Sequence, residues 1–459
     1  MIKDCLLKLL ILSVLYTCTG CDAVRRIPDP DATDIVIEVA IFEGGYGINW
    51  HESVARRYEA AFPEKNIRIN LWGDPRVEEI VKPRILRGDP PDLLLVHNLP
   101  IWILIASGKL QPFNSALQYP PPGSDAPWSD LFTPGTLANF SSEGVVYGIP
   151  SAFGAWGVWY DARMFREHGW NPPTTWDEFL VLCENIRDSG IAPLAYQGKY
   201  PVYAWFTFVS LIQRCGGLEA INRINLPDPG AFSHPDVVQA ARLLQDLARD
   251  HFQRGALAMT HTESQLQFVN SNTAMIFCGL WLYNEMKESV PLDFEMRCFN
   301  MPEVIGGKGN PSLFNGQGTE FLFVPVDAKH PQAAFDFARY MVSPDQAPGM
   351  GTQIGVISPL IDATPPDAVP PPLQSALKMI EQAPGIFNIR LNDLLLEWNA
   401  QVMLPSMARL LRGELSPEAF CAALDQGVAT ALGNPDIIIP PYKAIDPALF
   451  GEGTVEDHS

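Results

Sequence analysis

The stretch DIVIEVAIFEGGYGINWHESVARRYEAAFPEKNIRINLWGD, residues 34–74, changes its hydrophobic period twice. Ile35, Ile37, Val39 and Ile41 alternate as one face of a strand does. After Gly44, Gly45 and Gly47, the positions of Val54, Tyr58 and Ala61 follow helical spacing, and the helix stops before Pro63. Ile67, Ile69 and Leu71 restore the period of two. Further on, Pro90-Pro91-Asp92 leads into the apolar run Leu93 to Val96, the pattern of a parallel strand buried on both faces. Strand, helix, strand, helix, strand in so short a space indicates an α/β sheet.

Outward from that stretch, Gly144 to Asp161 contains VVYGIPSAFGAWGVWYD, strand-like on both sides of Pro150 and suited to cross between two domains. Thr175-Trp176-Asp177-Glu178 follows Pro172-Pro173 and forms a capping box: the Thr175 oxygen accepts from the amide three residues on, and Glu178 reaches back. Pro235 opens a helix that carries Val237, Ala241, Leu244 and Ala248 on one face. Ala274 to Leu280 and Glu320 to Val326 read as strands, and 331–342 as a helix. A proline-rich loop at 365–372 precedes a mainly helical region, 382–432. The chain has no repeat of 20–50 residues, which argues against a solenoid.

The mature length suits two domains, and 47% hydrophobic with 18% charged residues suits a globular chain with a large core. A formal charge of -20 with no basic run argues strongly against nucleic acid as a partner, because phosphate binding needs concentrated Lys and Arg. Cys183, Cys215, Cys278, Cys298 and Cys421 are odd in number and include no CxxC pair, so neither a disulfide framework nor a zinc ribbon is indicated. An oxidising compartment permits one pair to be bridged, without saying which. Cys278, inside an apolar run, reads as a small core residue. The histidines are too scattered for a metal cluster, and no cofactor is expected. Gly306-Gly307-Lys308-Gly309 lacks the spacing of a phosphate-binding loop and reads as a hairpin turn.

The first twenty residues have the three parts of an export signal: Lys3 and Lys8, the apolar run Leu9 to Tyr16, and the small Thr19 and Gly20 before Cys21. That run is too short to span a bilayer, which takes about 20 apolar residues, and no such run follows downstream. Cys18-Thr19-Gly20-Cys21 resembles the lipobox of bacterial lipoproteins, in which the cysteine thiol is lipidated and becomes the new N-terminus. Cys18 stands where Leu is usual, so cleavage by an ordinary signal peptidase is the alternative. Asp22 resembles a signal for retention at the inner of two membranes. Residues 21–33 then form a tether, and 446–459 a C-terminal tail.

A series of segments, in order, is similar to the extracellular solute-binding proteins of family 1, the carbohydrate-binding group that includes maltose-binding proteins. They are Glu43-Gly44-Gly45, Gly88-Asp89-Pro90-Pro91-Asp92, Gly108-Lys109-Leu110-Gln111-Pro112, Tyr147-Gly148-Ile149-Pro150 leading to Trp159-Tyr160-Asp161, Pro173 to Phe179, Asn272-Thr273-Ala274-Met275 with Gly279-Leu280-Trp281, and His330-Pro331-Gln332-Ala333-Ala334. The resemblance covers nearly the whole mature chain. It implies a periplasmic-binding-protein-like type II fold, two α/β lobes joined by a three-segment hinge, with crossings expected near 147–151, 270–274 and 325–330. Lobe one would be 34–149 with 274–326, and lobe two 150–273 with 327–445. It also implies a monomer in the periplasm or on the outer face of the cell membrane. Such a monomer closes on a carbohydrate and presents it to the permease subunits of an ABC importer, touching the membrane only through its lipid.

A sugar offers weakly apolar C–H faces and many hydroxyls, so its site needs flat rings beside planar hydrogen-bonding groups. A face burying roughly 40 Å² on a ring gains about 1 kcal/mol, and hydrogen bonds to charged groups about 1.5–3 kcal/mol each. A micromolar complex needs about -8 kcal/mol. Two rings and several polar groups are therefore a minimum once ordering costs are counted. With 11 Trp and 12 Tyr in the chain, position must select among them. Trp281 follows a buried strand, where members of the family commonly present a ring. Trp398 lies in the late helical region and Trp50 after the glycine turn; Phe153 and Trp156 follow the first crossing, and Tyr203 and Trp205 share a Pro-Val-Tyr-Ala-Trp segment. Core packing is the alternative for each.

The polar candidates are Glu43, Asp74, His97, Asn98 and Gln317, at strand ends or in loops where open α/β sheets bind ligands. Gly316 and Gly318 beside Gln317 would let the backbone approach a ligand closely. No carboxylate lies between Ile149 and Tyr160, where maltodextrin binders commonly place one, which argues against maltodextrin. Trp72-Gly73-Asp74-Pro75-Arg76 followed by Pro83-Arg84 is similar to the branch that includes N-acetylglucosamine and chitobiose binders. The rival readings are an exported polysaccharide hydrolase, which needs two carboxylates about 5–10 Å apart, and an adhesion or scaffold lipoprotein without a closable cleft. Against the hydrolase, the sequence has neither G-x-S-x-G nor H-E-x-x-H.

Overall fold

The computed structural model describes residues 35–44, 46–97, 99–435 and 437–452. The expected signal peptide and tether, Cys21, Asn98 and the last seven residues of the tail lie outside the described residues. The strands in chain order are β1 (Ile35–Phe42), β2 (Ile67–Asp74), β3 (Leu93–Leu95), β4 (Ser141–Ser142), β5 (Val145–Val146), β6 (Ile149–Asp161), β7 (Ala192–Ala195), β8 (Thr273–Gly279), β9 (Met296–Phe299), β10 (Phe314–Phe323) and β11 (Ile386–Phe387). The opening alternation forms β1 and β2, paired in parallel with Ile35 opposite Ile67, and β3 joins on the other side of β1 with Val39 opposite Leu93. The main sheet runs β2-β1-β3-β10-β6-β8-β7, with β11 on β10 and β9 on β6.

Two apolar masses lie along this sheet. Ile37, Val39, Trp50, Phe113, Leu322, Phe337 and Met341 fill one, and Val81, Leu94 and Phe323 cover the opposite face of the same strands. Val158, Phe208, Leu244, Met275, Leu313 and Phe420 fill the second, with Trp159, Ile276, Met296 and Leu373 on its other face. β6 belongs to both lobes. Its first half pairs with β10, with Ile149 opposite Leu322 and Ala155 opposite Gly316, and its second half pairs with β8 and β9. A third crossing follows near 356–360, where the Phe153 amide donates to the Ile357 carbonyl at 2.8 Å and the Thr133 amide to the Pro359 carbonyl at 2.9 Å. The two-lobed α/β architecture joined by three segments is therefore present.

Packing draws the lobes differently from the sequence-based partition. β8, expected in lobe one, pairs with the second half of β6 and with β7, and its Met275 and Ile276 sit in the second core. The helix Pro331–Met341, expected in lobe two, buries Phe337 and Met341 in the first core. The crossings expected near 270–274 and 325–330 accordingly lie at β10 and near 356–360. The cause is physical: a strand buried on both faces is apolar throughout, and nothing in it marks which sheet it joins.

Elements set by neighbouring residues form where the sequence places them. Thr175 and Glu178 form both halves of their capping box, at 3.2 and 3.1 Å, and the helix Pro235–His251 buries Val237, Ala241 and Leu244. The five described cysteines are free and buried. The described part of the C-terminal tail is strapped to lobe two: Phe450 packs on its core, and Glu452 accepts from the Asn310 amide and the Gln213 side chain, both at 2.7 Å. Gly217, at φ 65° and ψ -170°, breaks the helix Val202–Asn225 beside that carboxylate.

Candidate ligand-binding cleft

The lobes meet over β6 and β10, and the cleft lies where β1, β3 and β8 end, at Phe42, just before His97 and just before Trp281. It has two chambers of about 330 and 250 Å³, which share His97, Thr319 and Glu320 as a common wall.

Rings dominate the first chamber: Phe42 and Tyr46 come from lobe one, Tyr203 and Trp281 from lobe two. Trp281 caps the short helix Leu282–Met286, and its indole folds back over Gly279, where any Cβ would overlap the ring. Behind it, Trp156 meets Trp281 edge-on at 4.5 Å between ring centroids and stacks on Phe206 at 3.9 Å. Edge-to-face and offset stacks of this kind hold a ring in place at about 0.5–1.5 kcal/mol per pair. Burial pushes the Tyr203 and Tyr46 phenols above their ordinary range, so both are neutral hydrogen-bonding groups at physiological pH. Glu285, one turn after Trp281, accepts from Gln265 Nε2 at 2.6 Å.

The shared wall is a hydrogen-bonded histidine–carboxylate pair. His97 Nε2 lies 3.1 Å from Glu320 Oε2, the His97 amide donates to Glu78 at 2.9 Å, and Phe42 meets the imidazole edge-on at 4.7 Å. Desolvation opposes charging of His97, but the charge and hydrogen bond of Glu320 outweigh it and raise its pKa above the ordinary histidine value. Glu320 adopts φ 53°, a left-handed conformation rare for a side chain of this size, and Ser151 Oγ donates to its carbonyl at 2.8 Å. Strain of this kind gathers at ligand clamps and hinges. His51, by contrast, is held low, to about 4, by burial, so it is neutral, and its Nδ1 has no partner.

Amides and a carboxylate line the second chamber. Gln317 Oε1 accepts from Asn139 at 3.2 Å and from Asn388 at 2.8 Å, tying lobe one to lobe two across the hinge strand. Asn392 Nδ2 donates to Asp393 at 2.7 Å. Asp393 is exposed in the cleft.

Of the residues chosen from sequence, Tyr203 and Trp281 line the first chamber, Gln317 lines the second, and His97 lines both. Trp156 stands behind Trp281. Trp50, Phe153, Trp205 and Trp398 are instead buried in the lobe cores, 3% exposed or less, where no ligand face is available to them. Glu43 is exposed but lines neither chamber, and Asp74 serves its turn, accepting from the Arg76 amide at 2.7 Å. Tyr46, His51, Glu285, Glu320 and Asp393, which no local sequence signal marks as site residues, also line the chambers. Glu320 stands three residues after Gln317, and Glu285 four after Trp281.

The sequence profile of the bacterial extracellular solute-binding proteins matches residues 46–348. The chain is 24% identical over 413 residues to the diacetylchitobiose binding protein NgcE of Streptomyces coelicolor, covering 86% of this chain and 84% of that one. It is also 24% identical over 305 residues to a multiple sugar-binding protein of Streptococcus mutans, covering 64% and 67%. Among solved structures, a chitin oligosaccharide binding protein superposes with a TM-score of 0.72 at 20% identity, covering 87% of this chain and all of that one. The solute-binding protein RafE in complex with raffinose superposes with a TM-score of 0.68 at 19% identity, covering 86% and 99%. With the profile spanning more than half its length and the two-lobed fold in place, this chain belongs to the bacterial extracellular solute-binding proteins.

Proposed function

We propose that the protein is the solute-binding component of an ABC importer, capturing a carbohydrate between its lobes outside the cytoplasm and delivering it to the permease. The observation that carries this reading is the meeting, at the lobe boundary, of the Trp281, Tyr203 and Tyr46 rings with Glu285 and the His97–Glu320 pair. The rings match the C–H faces of a sugar, and the polar groups match its hydroxyls. Sugar-binding relatives support the same reading. Both walls come from one chain, so a monomer suffices. A ligand touching both walls favours the closed arrangement by its differential affinity, and the closed arrangement is what a permease would recognise.

Lipidation of Cys21 belongs to the proposal. Several acyl chains, each methylene worth ~0.8 kcal/mol in the bilayer, would keep the binder beside its importer. Cys21→Ser is expected to move the protein from the membrane to the soluble fraction, and a variant still with the membranes would end the anchor model. The binding function is tested by thermal-shift screening against mono- and oligosaccharides. A binder gains RT ln(1 + [L]/Kd) of stability, and the sugar is recovered unchanged. Product formation would replace the binder with the hydrolase, and no shift with any sugar would remove carbohydrate as the ligand.

A further inference from the structure

Resting on the reading of this cleft as a carbohydrate site, we infer that its second chamber takes a sugar unit bearing a free, protonated amine, held by Asp393 and Glu320, with Asn392 and Asn399 in the wall beside them. The charges of the cleft are one-sided. Glu285, Glu320 and Asp393 line its two chambers, and among the described residues no lysine or arginine does. A uronate or sugar phosphate would meet these carboxylates with no countercharge, which excludes anionic sugars by repulsion and desolvation. Of the two imidazoles there, His51 is held neutral by burial and His97 already pairs with Glu320.

The unpartnered polar atoms within the chamber wall have the same sign. Asn392, only 9% exposed, gives its Nδ2 to Asp393, and that contact fixes its amide so that Oδ1 is the atom left without a partner. Asn399 Oδ1, on the next turns of chain, is also buried and unpartnered. Both are acceptors, and a buried acceptor left empty costs about 1–3 kcal/mol. An ammonium group supplies three donors and a charge, whereas an acetamide supplies one N–H and brings a carbonyl of its own. An ammonium beside the Asp393 carboxylate turns the contact into a charge-assisted one. Because the two chambers share a wall, a ring of one sugar unit rests on Trp281 while the amine of the next enters the second chamber.

The experiment is calorimetric titration of the purified full-length protein with a glucosamine disaccharide carrying free amines, its N,N′-diacetylated counterpart and a galacturonate disaccharide, on wild type and Asp393→Asn. The inference expects the free-amine form to bind at least tenfold more tightly than the acetylated one, with no binding of the uronate. It expects Asp393→Asn to remove that preference, the free-amine form losing at least tenfold more affinity than the acetylated form loses in the same variant. Glu320→Gln should weaken the preference in the same direction. Equal or tighter binding of the acetylated form, binding of neutral sugars alone, or an unchanged preference in Asp393→Asn would overturn the inference and leave the carbohydrate reading standing. Failure of all three probes and of every neutral sugar would overturn both.

Discussion

Trp281 and Trp205 belong to the same lobe, carry the same ring, and have opposite fates. Trp205 lies inside the helix Val202–Asn225, apolar around most of its circumference, and packs against Trp398 at 6.1 Å in the second core with no exposed surface. Trp281 stands where a strand has just ended, over a glycine that leaves room for the indole to turn, and rests edge-on against Trp156. The difference teaches that an available ring is made by its position at an element boundary and by the absence of a side chain beside it. Aromatic content alone does not make one. Trp50 carries the same lesson in lobe one: its glycine-rich approach resembles a binding loop, yet it sits in the first turn of a helix whose inner face is core.

This contrast can be broken by substitution. The largest effect is expected from Trp205→Ala, which should lower stability by ~3–5 kcal/mol in denaturant unfolding while the folded fraction binds sugar as wild type does. Loss of binding at intact stability would place Trp205 with Trp281 and dissolve the distinction. Gly279→Ala comes next. Crowding the indole should cost about 1–3 kcal/mol of stability and weaken sugar binding more than tenfold in the same calorimeter, and an unaffected affinity would mean the ring has room the geometry denies it. Trp281→Ala should weaken binding by more than tenfold, about 1.4 kcal/mol, with a smaller stability loss than Trp205→Ala.

The smallest effect concerns the wall between the chambers. The folded-state pKa of His97 is raised above 6.5, so its stabilising pairing with Glu320 is fully present below that value and is lost as pH rises through the folded pKa. Urea unfolding of wild type and Glu320→Gln should differ by under about 1 kcal/mol at acid pH, as a partly exposed pair allows. That gap should close on the alkaline side. A gap that widens with pH would reverse the assignment.

Much of the fold was legible, because alternation, capping boxes and proline stops are local signals: β1, β2, the Thr175 cap and the helix from Pro235 all follow from residues near one another in the chain. The placement of β8 and of the helix Pro331–Met341 was not legible, since it depends on partners more than a hundred residues away. The same limit governs the cleft. Trp281, Tyr203, His97 and Gln317 are marked by strand or helix ends, whereas Asp393 and Asn392 acquire their surroundings only when a late helical segment meets the hinge strand.

Where a sugar sits in the cleft is tested most directly by a crystal structure of the protein with a sugar selected by thermal-shift screening. The prediction is a pyranose face on the Trp281 indole, with hydroxyls within hydrogen-bonding distance of His97, Glu320 or Glu285 and contacts to both lobes. A sugar bound outside the two chambers, or bound between the lobes without touching Trp281, would contradict it.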